Sequence, residues 1–524
     1  MRLTQITIEN FKGIRDRVEI PLRPITLLFG ANSAGKSTML QALLYLRELL
    51  ERQNADADVV SAGGTAIHLG GFRQLVHQHD VTRVIRLGVT VELDDDGLPD
   101  YSVIARSDAT DDQDPNQLGS NLRTAGVQVS VSWDSDHSTP RISAYTVYGD
   151  ERIMVTVMPG ELGKQRLEVN NQHPSFDRFI DDERRVLLHA EVLEDTQRTL
   201  LQMVANAVIP KWKECLKLEI ETEGPLDFGG EQDACDALRP VVAGVGEVVL
   251  DQLQKIRYIG PVREFPERGA LAQRTPSEDR WASGLAAWDW LGRDVDDEAH
   301  GVALERFDRW LTAQDGLNLG YSVRLEVARL LPEESELFLL LARLRHASDP
   351  EELAEQIRIL VESELLSRPR VRRVVMTDVR NGAEVAPQDV GNGVTQVIPV
   401  VAGVLAPGGN ILAVEQPELH LHPAIQCRLA DVFIRALHEQ ENRLFILETH
   451  SEHLMLRLMR RVRETTEDTL AEPDLALRTD QVVVLYAEAG ADGLRLTELP
   501  LTEDGDFSRN WPGGFFEDRA AEIF

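Results

Sequence analysis

The sequence predicts an α/β fold in which both ends of the chain form one parallel sheet, with a β-rich and then a helical insertion between them. Three observations support this prediction. An apolar strand at Pro24–Phe29 runs into a glycine-rich turn and then into a helix from Lys36 to about Arg52. From about residue 84 the apolar residues alternate with a period of two. After Arg373, strand and helix patterns alternate again.

The composition limits the possible classes of protein. The chain has 524 residues, of which 43% are hydrophobic and 27% charged, so wholesale disorder is excluded. The net charge of -32 argues against a general nucleic-acid coat protein, although a local basic groove for DNA is compatible with it. Three widely spaced cysteines indicate neither a disulfide framework nor a zinc site. Since the first residues lack an apolar signal core, we expect a cytoplasmic location.

Four segments are predicted along the chain. Leu-rich stripes over residues 182–220 and 332–366 are typical of helices. The stretch Val397–Val414 is apolar enough to imitate a membrane span, but proline and glycine interrupt it. It therefore predicts a buried helix, a turn and a buried strand, and we expect no membrane partner. The expected segments are 1–80 (N-terminal half of the domain built from both chain ends), 81–175 (β-rich), 176–370 (mainly helical insertion) and 371–524 (C-terminal half of that domain).

A phosphate-binding loop is predicted at residues 30–38, GANSAGKST, which fit the pattern G-x-x-x-x-G-K-[ST]. The glycines let successive backbone N–H groups point at phosphate oxygens. Lys36 supplies a positive charge for the β- and γ-phosphates, and the Ser37 hydroxyl suits Mg²⁺. The residues predicted to contact ATP in this loop are Asn32, Ser33, Ala34, Gly35, Lys36, Ser37 and Thr38.

An acidic strand is predicted to complete the magnesium site. Ile411–Val414 is apolar and ends in Glu415, a position where α/β sheets place ligands. The next residue is Gln416, whose amide can position water but cannot accept its proton. Glu418 is the nearest replacement, and it is equally compatible with a solvated or helix-capping carboxylate. His420 and His422 are only a weak metal signal without a third ligand.

Two further turns carry polar residues at the start of predicted helices. Residues 389–397 read DVGNGVTQV, and this glycine turn can offer backbone N–H groups to a phosphate. The strand in LFILETHS delivers His450 to its end, where a histidine can contact a γ-phosphate or the attacking water. The nucleotide contacts predicted in the glycine turn DVGNGVTQV are Gly391, Asn392, Gly393 and Thr395. The predicted catalytic residues are Glu415, Gln416, Glu418 and His450.

Three less specific features have competing interpretations. Gln74, in a predicted loop, can reach Mg²⁺ or water, or be incidental to a turn. Lys12, in IENFKGI, can approach the nucleotide from the first strand. A polar cluster around Tyr258 brings Arg263 and Arg268 close in sequence. We favour a turn with a buried salt bridge over a phosphate contact for this cluster.

These motifs together resemble an ABC-type ATPase of the branch that contains RecF, Rad50, SMC and the overcoming-lysogenization-defect proteins. The resemblance is carried by IENFKGI, GANSAGKST, VGNGVTQV, VEQPELHLHP and ETHSEHL. It covers about residues 1–80 and 370–500, and PELHLHP with ETHSEHL is its most specific part. Similar short ATPases occur in anti-phage systems such as Septu and PARIS.

The resemblance implies a fold, a cofactor and partners. It implies a P-loop ABC-type ATPase head that forms a homodimer or higher oligomer around two ATP molecules with Mg²⁺. By the same resemblance Ser37, Gln74 and Glu415 are the metal-side residues, and His450 is the switch histidine. Each phosphate loop would face the Gly391–Gln396 turn of the twin molecule.

Two departures from the family pattern affect the expected activity. Gly391 stands where a signature serine is usual, which leaves the γ-phosphate contact to Thr395 or to backbone. Gln416 stands where a catalytic glutamate is usual, so turnover is expected to be slow. Since only 74 residues follow His450, we expect any nuclease to be a separate protein.

Three functions are compatible with this sequence. The first is an ATP-controlled dimeric ATPase that controls a separate effector, as in antiviral defence. The second is a DNA-repair or chromosome-maintenance clamp, which the acidic charge disfavours. The third is a scaffold in which ATP is bound but not hydrolysed, and Gln416 favours this or a slow version of the first.

Overall fold

In the residues that it describes, the computed structural model shows three β-sheets, and helices cover both faces of the central one. It describes residues 1–31, 34–64, 67–95, 97–99, 118–119, 121–161, 163–176, 192–193, 198–212, 214–219, 235–267, 277–293, 298–344, 350–490 and 493–512. The strands are β1 (Arg2–Glu9), β2 (Val18–Pro21), β3 (Ile25–Gly30), β4 (Ile85–Glu92), β5 (Thr124–Asp134), β6 (Thr139–Gly149), β7 (Arg152–Pro159), β8 (Lys164–Asn170), β9 (Val192–Leu193), β10 (Arg198–Val204), β11 (Leu218–Glu219), β12 (Ile256–Ile259), β13 (Tyr321–Arg329), β14 (Arg370–Asp378), β15 (Glu384–Val385), β16 (Ile411–Glu415), β17 (Leu444–Glu448), β18 (Val482–Gly490) and β19 (Gly493–Leu499).

The helices follow the predicted pattern at both ends of the chain. A π-helical segment, Pro240–Gly244, precedes the third helix, and another, Val361–Leu365, follows the seventh. The helices are α1 (Lys36–Arg52), α2 (Phe72–Leu75), α3 (Val245–Gln254), α4 (Leu285–Leu291), α5 (Glu298–Thr312), α6 (Glu336–Leu344), α7 (Pro350–Leu360), α8 (Asn392–Leu405), α9 (Pro423–Glu439) and α10 (Glu452–Thr466). No helix in the described ranges is long and apolar enough to span a bilayer.

The central sheet has six strands in the order β12-β16-β17-β3-β18-β19. The first five are parallel and β19 is antiparallel to β18. The N-terminal strand β3 lies between β17 and β18, which come from the C-terminal part. The prediction that both chain ends share one sheet is therefore confirmed.

Both faces of the central sheet are covered, which explains the near-continuous apolar runs of β3, β16, β17 and the first part of β18. Side chains on one face pack with those of α4, α5, α8, α9 and α10. Side chains on the other face pack with α1 and α3, which separate this sheet from the large antiparallel sheet. The buried helix, turn and strand predicted for Val397–Val414 are confirmed as α8 and β16.

The large sheet has ten strands and contains β1, β2 and β4 to β11. It confirms the strands predicted from residue 84 onward. The helical prediction for residues 182–220 is wrong over its described part, since residues 198–204 form β10, which pairs with β8. Partner strands outweigh a local Leu-rich stripe there because strand preference depends on tertiary packing. Residues 177–191 lie outside the described ranges.

The predicted insertion at residues 176–370 is only partly helical. Helices α6 and α7 confirm the stripe at 332–366. The strand expected after Arg373 forms as β14, but it joins β13 and β15 in a separate three-stranded sheet. Strand β12, also from the insertion, pairs with β16 in the central sheet. The middle of the chain thus supplies the strand beside the acidic strand.

Candidate functional site

The phosphate-binding loop joins β3 to α1 at the C-terminal end of the central sheet. Gly35 precedes the helix with a φ of 89°, a left-handed conformation that favours glycine. Gly30 also requires glycine, because a Cβ there would lie 2.3 Å from the carbonyl oxygen of Ala487. The first turn of α1 places Lys36, Ser37 and Thr38 as the sequence predicts. Asn32 and Ser33 lie outside the described residues, and Ala34 is buried.

Lys36 is buried against the loop that it follows. Its Nζ donates to the carbonyl oxygens of Gly30 at 3.0 Å and Ala31 at 2.8 Å. Burial lowers the pKa of Lys36, and the carboxylates of Glu448, Glu418 and Glu415 act in the opposite direction. The ammonium group is thus held at the loop, close to three acidic side chains.

Ser37 lies between two carboxylates from neighbouring strands. Its Oγ is 2.7 Å from Glu448 Oε2 and 3.2 Å from Glu415 Oε2. The structure therefore brings together the predicted pair Ser37 and Glu415. It adds Glu448, which the sequence analysis missed. The signal was available, because the strands ILAVE and LFILE both end in glutamate and pair in parallel with Glu415 opposite Glu448.

Burial dominates the electrostatics of these carboxylates. It raises the pKa of Glu448 to about 7, and the negative charge of Glu415 acts in the same direction. Burial also raises the pKa of Glu415, although Tyr258 and Ser37 donate hydrogen bonds to it. Burial and the proximity of the two carboxylates thus disfavour their ionised forms, and a bound cation would offset that penalty.

Glu418 holds the turn that carries the predicted switch histidine. One of its oxygens accepts from Thr449 Oγ1 at 2.7 Å and the other from the backbone N–H of His450 at 2.8 Å. It is 8% exposed, so the solvated alternative is wrong. Burial raises the pKa of Glu418 despite these two donors. The geometry gives Glu418 a positioning role.

His450 and Gln416 lie at the ends of neighbouring strands. Burial and then the charge of Lys36 lower the pKa of His450, so its imidazole is neutral at pH 7. Gln416 adopts a φ of 48°, and its backbone N–H donates to the carbonyl oxygen of Glu448 at 2.7 Å. The strained residue is thus anchored through its backbone beside the carboxylate pair.

Two residues from the middle of the chain fix the acidic strand. The Tyr258 hydroxyl donates to Glu415 Oε1 at 2.6 Å. Arg263 is 3% exposed and donates to the carbonyl oxygens of Glu415 at 2.5 Å, Gln416 at 3.0 Å and Gln396 at 3.1 Å. For Arg263, the favoured interpretation as a turn with a buried salt bridge is wrong, since this side chain binds carbonyl oxygens. Arg268 lies outside the described residues.

The glycine turn before α8 is partly at the surface. Gly391 and Asn392 are exposed at the start of the helix. Gly393 packs against the following loop, because a Cβ there would lie 2.5 Å from the carbonyl oxygen of His420. Thr395 is 2% exposed, and its hydroxyl donates to the Asn392 carbonyl oxygen at 3.0 Å. Of the four predicted contacts, Gly391 and Asn392 are exposed, Gly393 is half-buried and Thr395 is buried.

Lys12 and Gln74 line an open groove of about 520 Å³. The Lys12 ammonium donates to the Gln41 amide oxygen. Burial lowers the pKa of Lys12, while the negative charge of Glu415 acts in the opposite direction. Gln74 lies in α2 rather than in a loop. Within the described ranges, it makes no hydrogen bond with Ser37, Glu415 or Glu448.

The residues present fit Mg²⁺ bound together with a triphosphate. One hydroxyl and carboxylate oxygens are the donors that Mg²⁺ prefers, and phosphates would supply further oxygens. Across the described part of the chain, no three His, Cys, Asp or Glu side chains form a metal site by themselves. His422 caps α9 by accepting from the Ala424 N–H, so it has a structural role.

Family models match both ends of the chain. Residues 1–96 match the family described as "AAA ATPase domain". Residues 265–456 match the family described as "AAA domain, putative AbiEii toxin, Type IV TA system". These two segments carry the phosphate loop, the glycine turn, Glu415 and His450. No curated protein matched the chain.

Solved structures of SMC heads are also similar to the chain. An SMC head bound to the C-terminal winged-helix domain of ScpA is 12% identical, with 96% of this chain and 99% of that one covered and a TM-score of 0.41. The SMC head of Thermotoga maritima is 9% identical, with 96% and 100% covered and a TM-score of 0.35. An SMC head with an extended coiled coil, bound to the C-terminal domain of ScpA from Pyrococcus furiosus, is 11% identical, with 95% and 96% covered and a TM-score of 0.37.

The two family matches agree with the geometry of the phosphate loop and the acidic strand. They fall on the segments in which the sequence motifs lie. Both ends of the chain are thus similar to AAA-type ATPase domains, in line with the ATPase that its motifs predict.

Proposed function

We propose that the protein binds ATP with Mg²⁺ at the phosphate loop and hydrolyses it slowly. The observation that carries this proposal is the position of the Ser37 hydroxyl. It lies within hydrogen-bonding distance of Glu415 and Glu448, directly after Lys36 and at the helix N-terminus. A phosphate-binding loop beside an acidic strand is the arrangement that phosphoryl transfer from a nucleotide requires.

The chain's own residues account for binding and positioning. Loop N–H groups, the N-terminus of α1 and Lys36 attract phosphate oxygens. Ser37 and Glu415 would hold the cation, which neutralises phosphate charge when bound. The neutral imidazole of His450 can donate or accept one hydrogen bond next to the phosphate.

Slow turnover follows from the groups beside the acidic strand. The Gln416 amide can orient a water molecule but cannot accept its proton. Both oxygens of Glu418 are already bonded to the Thr449–His450 turn. The obvious carboxylates for activating water are therefore replaced or engaged. This favours a long-lived ATP complex, and a scaffold in which hydrolysis is incidental remains the second candidate.

We further propose that two molecules close head to head around ATP. Gly391 and Asn392 are exposed at the start of α8, where free N–H groups can bind an anion brought by a twin molecule. At the other end of α8, the buried Arg257 donates to the carbonyl oxygens of Gly403, Ala406 and Pro407. Carbonyl oxygens at the C-terminus of α8 thus have a donor within the chain, whereas the N-terminus of the helix is exposed.

The dimer is proposed to control a separate effector protein, such as a nuclease, in anti-phage defence. The sequence resemblance to the ATPases of Septu and PARIS supports this proposal. The description of the matched family, which names a toxin–antitoxin system, is in line with it. The net charge of -32 does not favour DNA as the partner.

Lys36→Ala tests the binding site, with Lys211→Ala as a control at an exposed lysine that pairs with Glu214. We expect the first variant to lose binding of a fluorescent ATP analogue, because the phosphate charge is no longer compensated. The control should bind as the wild type does. Light scattering with and without ATP should show a mass increase in the wild type and the control only. Unchanged nucleotide affinity in Lys36→Ala would refute the proposed site.

A further inference from the structure

Glu448 occupies a position equivalent to that of Glu415 on the neighbouring strand. The two residues end β17 and β16, and the parallel register places them opposite each other. Paired residues in adjacent strands direct their side chains to the same face of a sheet. Both carboxylates contact Ser37 Oγ, at 2.7 and 3.2 Å. One hydroxyl and two carboxylates from three separate segments therefore converge on one point.

The charges at this point are not balanced by the protein. A serine hydroxyl has one proton and can donate to only one of the two carboxylates at a time. Each carboxylate belongs to a residue that is 6% exposed, so water compensates little of its charge. The nearby cations are engaged elsewhere, since Lys36 donates to loop carbonyls and Arg263 to strand carbonyls.

We propose that Glu448 is a second carboxylate ligand of the divalent cation in the nucleotide site, together with Glu415 and Ser37. This inference rests on the proposed ATP-binding function and adds a residue to it. The donors are all hard oxygens, which suit Mg²⁺ and Mn²⁺. Mg²⁺ is commonly held by one or two carboxylates with substrate phosphates, so this donor set leaves room for the triphosphate.

The role of Glu448 can be separated from a purely structural one. Glutamine keeps an oxygen that can accept the Ser37 hydrogen bond, but it carries no charge. A residue that only supports Ser37 would therefore tolerate Glu448→Gln. A cation ligand would not, because the charge is what attracts the metal. The matched control is Glu441→Gln, on the exposed loop that precedes the same strand.

The experiment measures Mn²⁺ bound by the full chain in the presence of a non-hydrolysable ATP analogue, from the loss of the free-ion electron paramagnetic resonance signal. Binding of the analogue in EDTA is measured in parallel by fluorescence. We expect Glu448→Gln to weaken Mn²⁺ binding at least about tenfold, with analogue binding in EDTA unchanged. Glu441→Gln should match the wild type in both measurements. Thermal unfolding followed by circular dichroism checks that all three chains are folded.

The outcomes distinguish the inference from the proposal on which it rests. Equal Mn²⁺ affinity in Glu448→Gln and the wild type would overturn the role of Glu448 and leave the nucleotide site intact. Failure of the wild type to bind the analogue, with or without metal, would overturn the proposed function and this inference with it.

Discussion

Replacing Glu448 by glutamine is expected to stabilise the folded chain, and to do so more strongly as the pH rises. Burial and the neighbouring Glu415 raise the pKa of Glu448 from 4.5 to about 7 in the folded state. The folded chain therefore holds this proton more tightly than the unfolded chain does. Between about pH 4.5 and pH 7, raising the pH lowers the free energy of unfolding, and above pH 7 the loss is complete.

The size of the effect follows from the same pKa values. One pKa unit corresponds to about 1.4 kcal/mol, so the full loss is about 3 kcal/mol. Relative to low pH, linkage lowers the free energy of unfolding by about 2 kcal/mol at pH 6 and about 3 kcal/mol at pH 8.5. Glutamine resembles the protonated carboxyl and does not titrate. Glu448→Gln should thus gain about 2 kcal/mol over the wild type at pH 6 and about 3 kcal/mol at pH 8.5.

Urea unfolding at pH 6 and pH 8.5, in EDTA and without nucleotide, measures this difference. The Glu441→Gln variant is the control, and its unfolding should follow that of the wild type at both pH values. Parallel pH dependences in Glu448→Gln and the wild type would refute the reasoning. So would a variant that is less stable than the wild type at pH 8.5, because the buried charge would then be compensated by the protein.

Four further changes test the groups around the acidic strand. Arg263→Met should lower the free energy of unfolding by about 3–5 kcal/mol, measured in urea, because three buried carbonyl oxygens lose a charged donor. Tyr258→Phe should lower it by about 1.5–3 kcal/mol in the same assay, since Glu415 loses its hydroxyl donor. His450→Ala should slow phosphate release by about 100-fold with little change in affinity for a fluorescent ATP analogue; wild-type turnover would remove the switch role. Gln416→Glu should speed phosphate release about tenfold or more, because a carboxylate can accept a proton from water; unchanged turnover would locate the slow step elsewhere.

Local patterns were sufficient for the parts of the site that lie within one motif. The pattern of strand, turn and helix is predicted around both the phosphate loop and the acidic strand. The structure forms α1 from Lys36 to Arg52 as expected. The position of Glu415 at the end of β16 could be predicted from the length of the apolar run alone. These predictions succeed because hydrophobic period and glycine placement act over a few residues.

Contacts between distant segments were not predictable in the same way. Tyr258 and Arg263 reach the site because β12 pairs with β16, and no local pattern encodes that pairing. Glu448 lies within a motif that was recognised, but its role depends on the register between β16 and β17. At residues 198–204 the local pattern gave a wrong prediction. The Leu-rich stripe indicated a helix, but these residues pair with β8 as a strand. Tertiary pairing decides these cases.

The position of β3 in the central sheet has a consequence for synthesis on the ribosome. This strand ends at Gly30, yet its two neighbours begin at Leu444 and Val482. At translation rates of about 5–20 residues per second, its second neighbour emerges roughly 20–90 s later. Until β17 emerges, β3 has both edges unpaired, so early burial of its largely apolar side chains under α1 would limit aggregation of the nascent chain.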